Sequence, residues 1–168
     1  MTKYFTLNDG SKIPWLGFGT GTAIYKQDAT DLVRVAIENK IIHLDGAQMY
    51  QNEDTMGAGI RASGKSRSDL FVVTKLGDLQ PGQTVKESLK ISLTKLGLDY
   101  VDLFLIHIPA QARKEGNLSQ VWEGMEEVKR DGLAKSIGVS NFSLEDLNVI
   151  LETAKVVPSV NQVGAIFL

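Results

Sequence analysis

Four short apolar stretches, each ending in a polar residue, constrain this chain more than any other feature. Three of them end in Asp45, Lys75 and His107, and the fourth ends in Ser140 and Asn141. The stretches cover residues 41–45, 70–75, 101–107 and 134–141. Runs of β-branched and aliphatic residues of this kind are typical of parallel strands that are buried on both faces. Because ligands bind at the C-terminal edge of parallel strands, we expect a site where these polar ends meet.

Amphipathic helical patterns alternate with the strands, which predicts βαβ units and a parallel sheet. Turn residues 8–11 predict an N-terminal β-hairpin before the sheet. The helices are expected over about 28–39, after Asn52 as a cap, from a capping box at Thr84 to Gly97, over 118–131, and after Ser143. In the last helix we expect Leu144, Leu147, Ile150 and Leu151 to face inward. The sequence therefore predicts one α/β domain over residues 1–168, with six parallel strands and five helices.

Composition narrows the possible partners. The formal net charge is −2 with interspersed signs, which argues against binding to nucleic acid or anionic lipid. The chain has no cysteine, which excludes disulfides and thiolate metal ligands, and no metal site is predicted. No apolar run approaches the roughly 20 residues that span a bilayer, and the start has no signal-peptide pattern. We therefore expect a soluble cytoplasmic protein without a membrane partner.

A glycine-rich turn follows the first strand of the predicted sheet. Gly17, Gly19 and Gly21, with Asp45 after the next strand, partly match a dinucleotide-binding fingerprint. The third glycine comes one residue early, and the helix is expected several residues later, whereas the pyrophosphate needs a helix N-terminus beside the glycines. A tight turn at the rim of a barrel is the favoured interpretation.

Taken together, these stretches resemble the aldo-keto reductase family. The matching segments are 17–20, 43–53, 73–75, 98–103, 106–107, 138–142 and 160–163, which cover most of the chain in order. The resemblance implies a (β/α)₈ TIM barrel and NADPH-dependent reduction of a small carbonyl substrate to an alcohol. Closed barrels of this type have about 250 residues, so we expect an incomplete barrel here.

The resemblance assigns the catalytic tetrad to Asp45, Tyr50, Lys75 and His107. Tyr50 would donate a proton to the oxygen that gains charge, and a nearby ammonium on Lys75 is expected to lower the tyrosine pKa. Asp45 would hold Lys75, and His107 would orient the carbonyl. Tyr50, His107 and Ile108 are implied as substrate contacts, with Ile108 where many relatives carry an aromatic residue.

Each tetrad residue also has a structural alternative: a turn residue for Asp45, a rim aromatic for Tyr50, a solvated strand end for Lys75 and a core histidine for His107. His43, two residues before the end of its strand, is predicted to be a core residue outside the site.

The resemblance also implies a set of cofactor contacts. Ser140, Asn141 and Gln162 would bind the nicotinamide carboxamide, because a hydroxyl and two amides supply both donors and acceptors. The alternative for Ser140 and Asn141 is a cap on the following helix, although Ser143 fits that role better. Gly19 and Thr20 would line the nicotinamide end, next to Asp45.

The match breaks at residues 164–168, where the family usually continues with glutamate and a polar, proline-containing stretch. From this we expect the last two strand–helix units to be absent, leaving the first and sixth strands with open edges. Weak NADPH binding and slow or absent reduction would follow. The alternative function is a non-enzymatic interaction or regulatory protein, which could self-associate through those edges.

Overall fold

An antiparallel hairpin opens the computed structural model, which describes residues 2–114 and 117–164. Its strands are β1 (Tyr4–Thr6) and β2 (Lys12–Pro14), as expected from the turn signal. The turn between them uses Gly10 at φ +84°, a conformation that favours glycine. The hairpin contacts the starts of the sheet strands, since the Pro14 carbonyl lies 3.0 Å from His43 Nδ1 and Asp9 accepts a hydrogen bond from Ser136.

Six parallel strands form the sheet and follow one another in chain order, which confirms the predicted topology. They are β3 (Gly17–Gly19), β4 (His43–Asp45), β5 (Phe71–Leu76), β6 (Val101–Ile106), β7 (Ala134–Ser140) and β8 (Asn161–Gln162). In the described part of the chain, β3 and β8 lie at the two ends of this order.

The sheet is curled into part of a barrel. Gln162 in β8 donates a hydrogen bond of 3.1 Å to Asp45 in β4, although three strands lie between β4 and β8. In a flat sheet these two strands would be about 19 Å apart, given a spacing of about 4.8 Å between neighbours. The curvature therefore turns both strand ends toward a common interior.

Alternation along the strands separates the barrel interior from the layer that faces the helices. Phe71 and Val73 of β5 pack with Leu103 and Leu105 of β6 in a small interior cluster. The residues between them, such as Val72 and Phe104, belong to the larger core under the helices. Successive side chains of a strand point to opposite faces. The same alternation directs Asp45, Lys75 and His107 toward the interior.

Six helices, rather than the expected five, lie in the described part of the chain. They are α1 (Thr30–Glu38), α2 (Glu53–Ala62), α3 (Val85–Leu96), α4 (Pro109–Lys114), α5 (Leu118–Arg130) and α6 (Leu144–Leu151). The sequence analysis missed α4, which begins with a proline at its first position and is too short to show a periodic stripe. None of these helices has the length and apolar run that crossing a membrane requires.

The helix ends largely agree with the capping signals in the sequence, but the buried face of α6 differs from the predicted one. Thr84 and Glu87 form the expected capping box of α3, which ends at Gly97 in the left-handed conformation. Ser143 caps α6 in the same way. The prediction that Leu144 and Leu151 face inward was wrong, since they are 73% and 46% exposed. Only one side of α6 packs on the core, and these two leucines fall outside that arc.

Candidate active site

An ion pair between Asp45 and Lys75 forms the centre of the site. Lys75 Nζ lies 2.5 Å from Asp45 Oδ1 and donates a second hydrogen bond of 3.0 Å to the Gly46 carbonyl. The Lys75 side chain is 2% exposed. Burial lowers the pKa of Lys75, and the Asp45 carboxylate acts against that shift. The lysine is thus a buried cation whose charge is balanced by a single carboxylate.

Tyr50 lies on a short 3₁₀ turn, Gln48–Tyr50, that follows β4. Its hydroxyl is 3.5 Å from Lys75 Nζ. Burial, and to a lesser degree the charge of Asp45, raises the pKa of Tyr50 to about 12. The expected direction of this pKa shift was therefore wrong. The physical reason is that burial disfavours the charged phenolate, and the negative charge of Asp45 disfavours it further.

His107 follows β6 directly and is buried beside Tyr50. The two rings meet edge to face, with centroids 5.4 Å apart. Burial, followed by the nearby Lys75 charge, lowers the pKa of His107 to about 4. Its Nδ1 atom is buried and has no hydrogen-bond partner among the described residues. His107 is therefore a neutral imidazole at pH 7 with hydrogen-bonding capacity that the protein leaves unused.

The residues expected to bind the nicotinamide carboxamide lie on the same rim. Ser140 Oγ donates to the Gln162 carbonyl at 2.8 Å, and Gln162 Nε2 donates to Asp45. Asn141 has φ +60° and donates to the His107 carbonyl at 3.0 Å. The structure thus brings Ser140, Asn141 and Gln162 together with the tetrad, and Ser143 rather than Ser140 or Asn141 caps α6.

The two residues expected at the nicotinamide end differ in accessibility. Gly19 is exposed at the end of β3 and pairs with Asp45. Thr20 is fully buried, and its backbone N–H donates to the Asp45 carbonyl at 2.9 Å. Ile108, the expected substrate contact, is half-buried directly after His107.

The glycine turn makes room for Tyr50 and does not serve a helix N-terminus. A Cβ added at Gly21 would lie 2.8 Å from Cζ of the Tyr50 ring. The first α-helix begins only at Thr30, so no long helix starts beside the glycines. This agrees with the barrel-rim interpretation. His43 also stays outside the site, with its ring against Phe71 and its Nδ1 on the Pro14 carbonyl.

Three residues of the segment after β4 have structural roles that the sequence analysis did not assign. Asn52 stands at the N-cap of α2, but the predicted side-chain cap was wrong. Its amide donates to the Thr20 and Ile24 carbonyls at 2.8 and 2.9 Å, which ties down the loop after β3. The buried Glu53 accepts from Thr74 Oγ1 at 2.6 Å, and the Gln48 amide binds α3. All three lie within three residues of Tyr50, and this proximity was the one sequence feature that could have pointed to them.

No group of three or more His, Asp or Glu side chains within residues 2–114 and 117–164 is arranged to hold a metal ion. The rim instead offers organic acid–base groups: a buried ammonium, a protonated phenol and a neutral imidazole. Together, this fold and this rim place the protein in the class of parallel α/β-barrel proteins whose site lies at the C-terminal ends of the strands.

Comparison with known proteins identifies the family. A model described as the Aldo/keto reductase family matches residues 15–168. An NADPH-dependent alpha-keto amide reductase of Saccharomyces cerevisiae is 37% identical over 96% of this chain and 56% of its own length. A glyoxal reductase of Bacillus subtilis is 37% identical over 94% of this chain and 56% of its own length. The chain belongs to the aldo/keto reductase family.

A solved structure supports the same assignment. The crystal structure of an aldo/keto reductase from Brucella melitensis superposes with a TM-score of 0.85 and 36% sequence identity. The match covers 98% of this chain and 64% of that protein. The chain thus spans a little over half the length of the curated relatives described above.

Proposed function

We propose that this protein is an NADPH-dependent oxidoreductase that reduces aldehydes or ketones to alcohols. The observation that carries the proposal is the meeting of four side chains from separate segments at one rim: Asp45, Tyr50, Lys75 and His107. The alpha-keto amide and glyoxal reductases to which the chain is similar act on carbonyl compounds by name, which supports the same reaction class.

Tyr50 is the proposed proton donor. With a pKa of about 12, the phenol keeps its proton throughout the neutral range. Reduction leaves charge on the carbonyl oxygen, and a positioned acid within hydrogen-bond reach neutralises it. The Lys75 ammonium, 3.5 Å from the hydroxyl, stabilises the phenolate that remains. Asp45 keeps that ammonium in place despite its burial.

His107 is proposed to orient the substrate. Because its pKa is about 4, the imidazole is neutral at pH 7 and does not compete with Tyr50 as a proton donor. A neutral imidazole carries one N–H donor, and an N–H directed at the carbonyl oxygen also favours the developing negative charge. Ile108, the next residue, is proposed as an apolar contact for the substrate.

The rim also has the donors and acceptors that a nicotinamide carboxamide requires. Gly19 borders open space, since a Cβ added there meets no atom within 4 Å. Ser140, Asn141 and Gln162 contribute a hydroxyl and two amides, and we propose that they hold NADPH together with Gly19, Thr20 and Asp45. When bound, NADPH supplies the hydride. The protein residues fix which face of the ring meets the substrate.

The decisive experiment compares Tyr50→Phe with the unaltered chain. We expect kcat for NADPH-dependent reduction of a short aliphatic or aromatic aldehyde to fall by about 10²–10⁴-fold, the usual contribution of a general acid. Tyr4→Phe makes the same chemical change on the hairpin, where Tyr4 is 49% exposed, and should leave kcat unchanged. Equal rates for Tyr50→Phe and the unaltered chain, or no turnover by the unaltered chain, would contradict the proposal.

A non-enzymatic interaction protein is the second candidate. It is supported by exposed residues in the two end strands of the described sheet, where Gly17 and Gly19 of β3 and both residues of β8 are exposed. Unpaired strand edges can pair with another chain. Light scattering after size exclusion measures this directly, since pairing through the edges would give a dimer mass. A monomer with measurable turnover would count against this candidate.

A further inference from the structure

Gln48 connects the turn that carries Tyr50 to two other elements of the fold. It is the first residue of that turn and is half-buried. Its Nε2 donates to Ser88 Oγ and Ser92 Oγ of α3, both at 2.9 Å. Its Oε1 accepts the Gly77 N–H at 2.7 Å. A single amide therefore links the Tyr50 turn, helix α3 and the residue that directly follows β5.

The contact with Gly77 matters because β5 also carries Lys75. Gly77 lies two residues after Lys75, at the point where the strand has just ended. A Cβ added at Gly77 would lie 3.3 Å from Gln48 Oε1, so a larger residue would crowd the amide. The glycine thus allows the close approach of Gln48 without any shift of the amide. Through the contact between Gln48 and Gly77, the turn that contains Tyr50 is held against the end of β5, the strand that contains Lys75.

The Tyr50 ring packs against His107, and the Lys26 N–H donates to the Tyr50 carbonyl at 2.9 Å, but neither contact holds the Tyr50 hydroxyl itself. A single 3₁₀ turn has poor hydrogen-bond geometry, and this one ends at Gln51 in the left-handed conformation. The Tyr50 hydroxyl is 3.5 Å from Lys75 Nζ, at the outer limit of a hydrogen bond. By contrast, the Gln48 amide bonds to Ser88 and Ser92, which are 4% and 0% exposed. Buried partners of this kind hold a side chain in one place.

We infer that Gln48 is a positioning residue that sets the separation between the Tyr50 hydroxyl and the Lys75 ammonium. The inference rests on the proposed function for its kinetic consequence, but its structural consequence is independent of turnover. Gln48 acts through the Tyr50 turn, because its amide is occupied by α3 and Gly77. A reacting group displaced by about 1 Å can cost about 10²-fold in rate.

Gln48→Met tests the inference, because methionine keeps an unbranched side chain of similar length and removes the amide. We expect kcat to fall by about 10–10²-fold, with KM changed by less than about 3-fold because the cofactor and substrate contacts remain. Gln51→Met is the matched control: Gln51 follows Tyr50 directly and is exposed, so kcat should stay unchanged. Gln48→Glu keeps an acceptor for the Gly77 N–H and should recover part of the lost kcat.

An NMR readout separates this inference from the proposed function. The chain has two histidines, His43 and His107, so the two imidazoles give a simple ring spectrum. His107 packs against the Tyr50 ring, whereas His43 packs against Phe71. In Gln48→Met the His107 ring signals should shift while those of His43 stay fixed. This result would support the inference even if the chain reduced no carbonyl at all.

Two results would overturn the inference. One is a Gln48→Met chain whose His107 signals match those of Gln51→Met. The other is an active chain in which Gln48→Met leaves kcat unchanged. If Gln48→Met does not fold, Ser88→Ala takes its place, because it removes one partner of the amide and little volume. That variant should shift the His107 signals in the same direction and lower kcat by a few-fold, and its failure to do so would equally count against the inference.

Discussion

Each end of the partial barrel has an aspartate that pairs with a basic side chain, but the surroundings of the two pairs differ. At the N-terminal end, the buried Asp102 carboxylate accepts from the Val72 N–H at 2.9 Å and pairs with Arg67 at 2.6 Å and Lys135 at 3.0 Å. At the C-terminal end, Asp45 pairs with the buried Lys75, and the described residues include no second carboxylate partner for that lysine. The Asp102 carboxylate is bonded by three donors that hold the fold together. The Asp45 carboxylate instead holds Lys75 at a position 3.5 Å from the Tyr50 hydroxyl.

The hairpin strengthens the contrast at the N-terminal end. Burial of Asp9 opposes its ionisation, but hydrogen bonds from Lys129, Ser11 and Ser136 outweigh it and hold the pKa of Asp9 well below its ordinary value. These contacts join the hairpin turn to α5 and β7. No comparable set of donors surrounds His107, whose buried Nδ1 is unpartnered in the part of the chain that the structure describes.

This difference between the two ends of the barrel indicates which end contributes to stability and which contributes to activity. Fully bonded carboxylates stabilise the fold, because removing one leaves charged partners without compensation. Groups that are buried but incompletely bonded keep the capacity to bind and to exchange protons. In parallel α/β barrels the C-terminal face carries the chemistry and the opposite face carries stability. Here, substitutions at the two ends should therefore separate stability from activity.

The largest expected effect on stability is at the N-terminal end. Asp102→Ala leaves Arg67 and Lys135 without their shared carboxylate, and we expect the free energy of unfolding to fall by about 2–4 kcal/mol. Lys135 is half-exposed and can turn toward water, which keeps the loss below that of a fully buried charge. Urea denaturation at pH 7 measures the change. The control is Asp99→Ala, an exposed neighbour that should change it by less than about 0.5 kcal/mol.

The contrast sharpens when the same measurement is made on Tyr50→Phe. Among residues 2–114 and 117–164, the hydroxyl that this substitution removes has one hydrogen-bond contact, of 3.5 Å, so the free energy of unfolding should change by less than about 1 kcal/mol. A loss as large as that of Asp102→Ala would mean that the rim is as important for stability as the opposite end, and the separation of roles would be wrong.

A smaller effect, with a pH dependence, is expected at Glu53 beneath the rim. Burial raises the pKa of Glu53, although hydrogen bonds from Thr74 and Ser92 and the charge of Lys95 act against the shift. The folded state therefore holds the proton more tightly than the unfolded state, whose pKa is near 4.5. The contribution of Glu53 to the free energy of unfolding is fully present below pH 4.5 and is lost as the pH rises through the folded-state pKa.

Glu53→Gln removes this pH dependence. The difference in unfolding free energy between the variant and the unaltered chain should move in favour of the variant as pH rises from 4 to 8, because ionisation of the buried Glu53 weakens the folded state of the unaltered chain. Urea denaturation across this range measures it. Glu123→Gln, the same chemical change at an exposed position of α5, is the matched control. A constant difference across the range would show that Glu53 ionises as easily in the folded chain as in the unfolded chain.

The sequence predicted the framework well because local patterns determine it. Buried strands, capping signals at Thr84 and Ser143, and alternation of faces were sufficient to direct Asp45, Lys75 and His107 to one interior. The catalytic and cofactor roles of these residues stay predictions. What local patterns cannot give is how deeply a side chain is buried after folding, which is why the direction of the Tyr50 pKa shift was wrong.

Contacts between distant segments account for the other errors. Asparagine is a common N-cap residue, but the Asn52 amide instead donates to two carbonyls of the loop after β3, which folds back over it. Gln48 looks like a surface residue until α3 places two serines beside its amide. Leu144 and Leu151 fit a helical stripe, yet the core contacts only a narrow arc of α6. For Asn52 and Gln48 the deciding partners lie at least 28 residues away in sequence.

The smallest expected effect concerns the influence of the Lys75 charge on His107. The pKa of His107 is lowered to about 4, first by burial and second by the Lys75 charge. In Lys75→Met the second cause is removed while the Asp45 carboxylate remains, so the pKa should rise but stay below the ordinary value of 6.5. NMR titration of the His107 ring measures it. Lys129→Met removes a lysine of the same kind from the opposite end, where it pairs with Asp9, and should leave the His107 pKa unchanged. If both variants shift it equally, the charges of the two ends act on the site alike, and the local balance between Lys75 and Asp45 does not control His107.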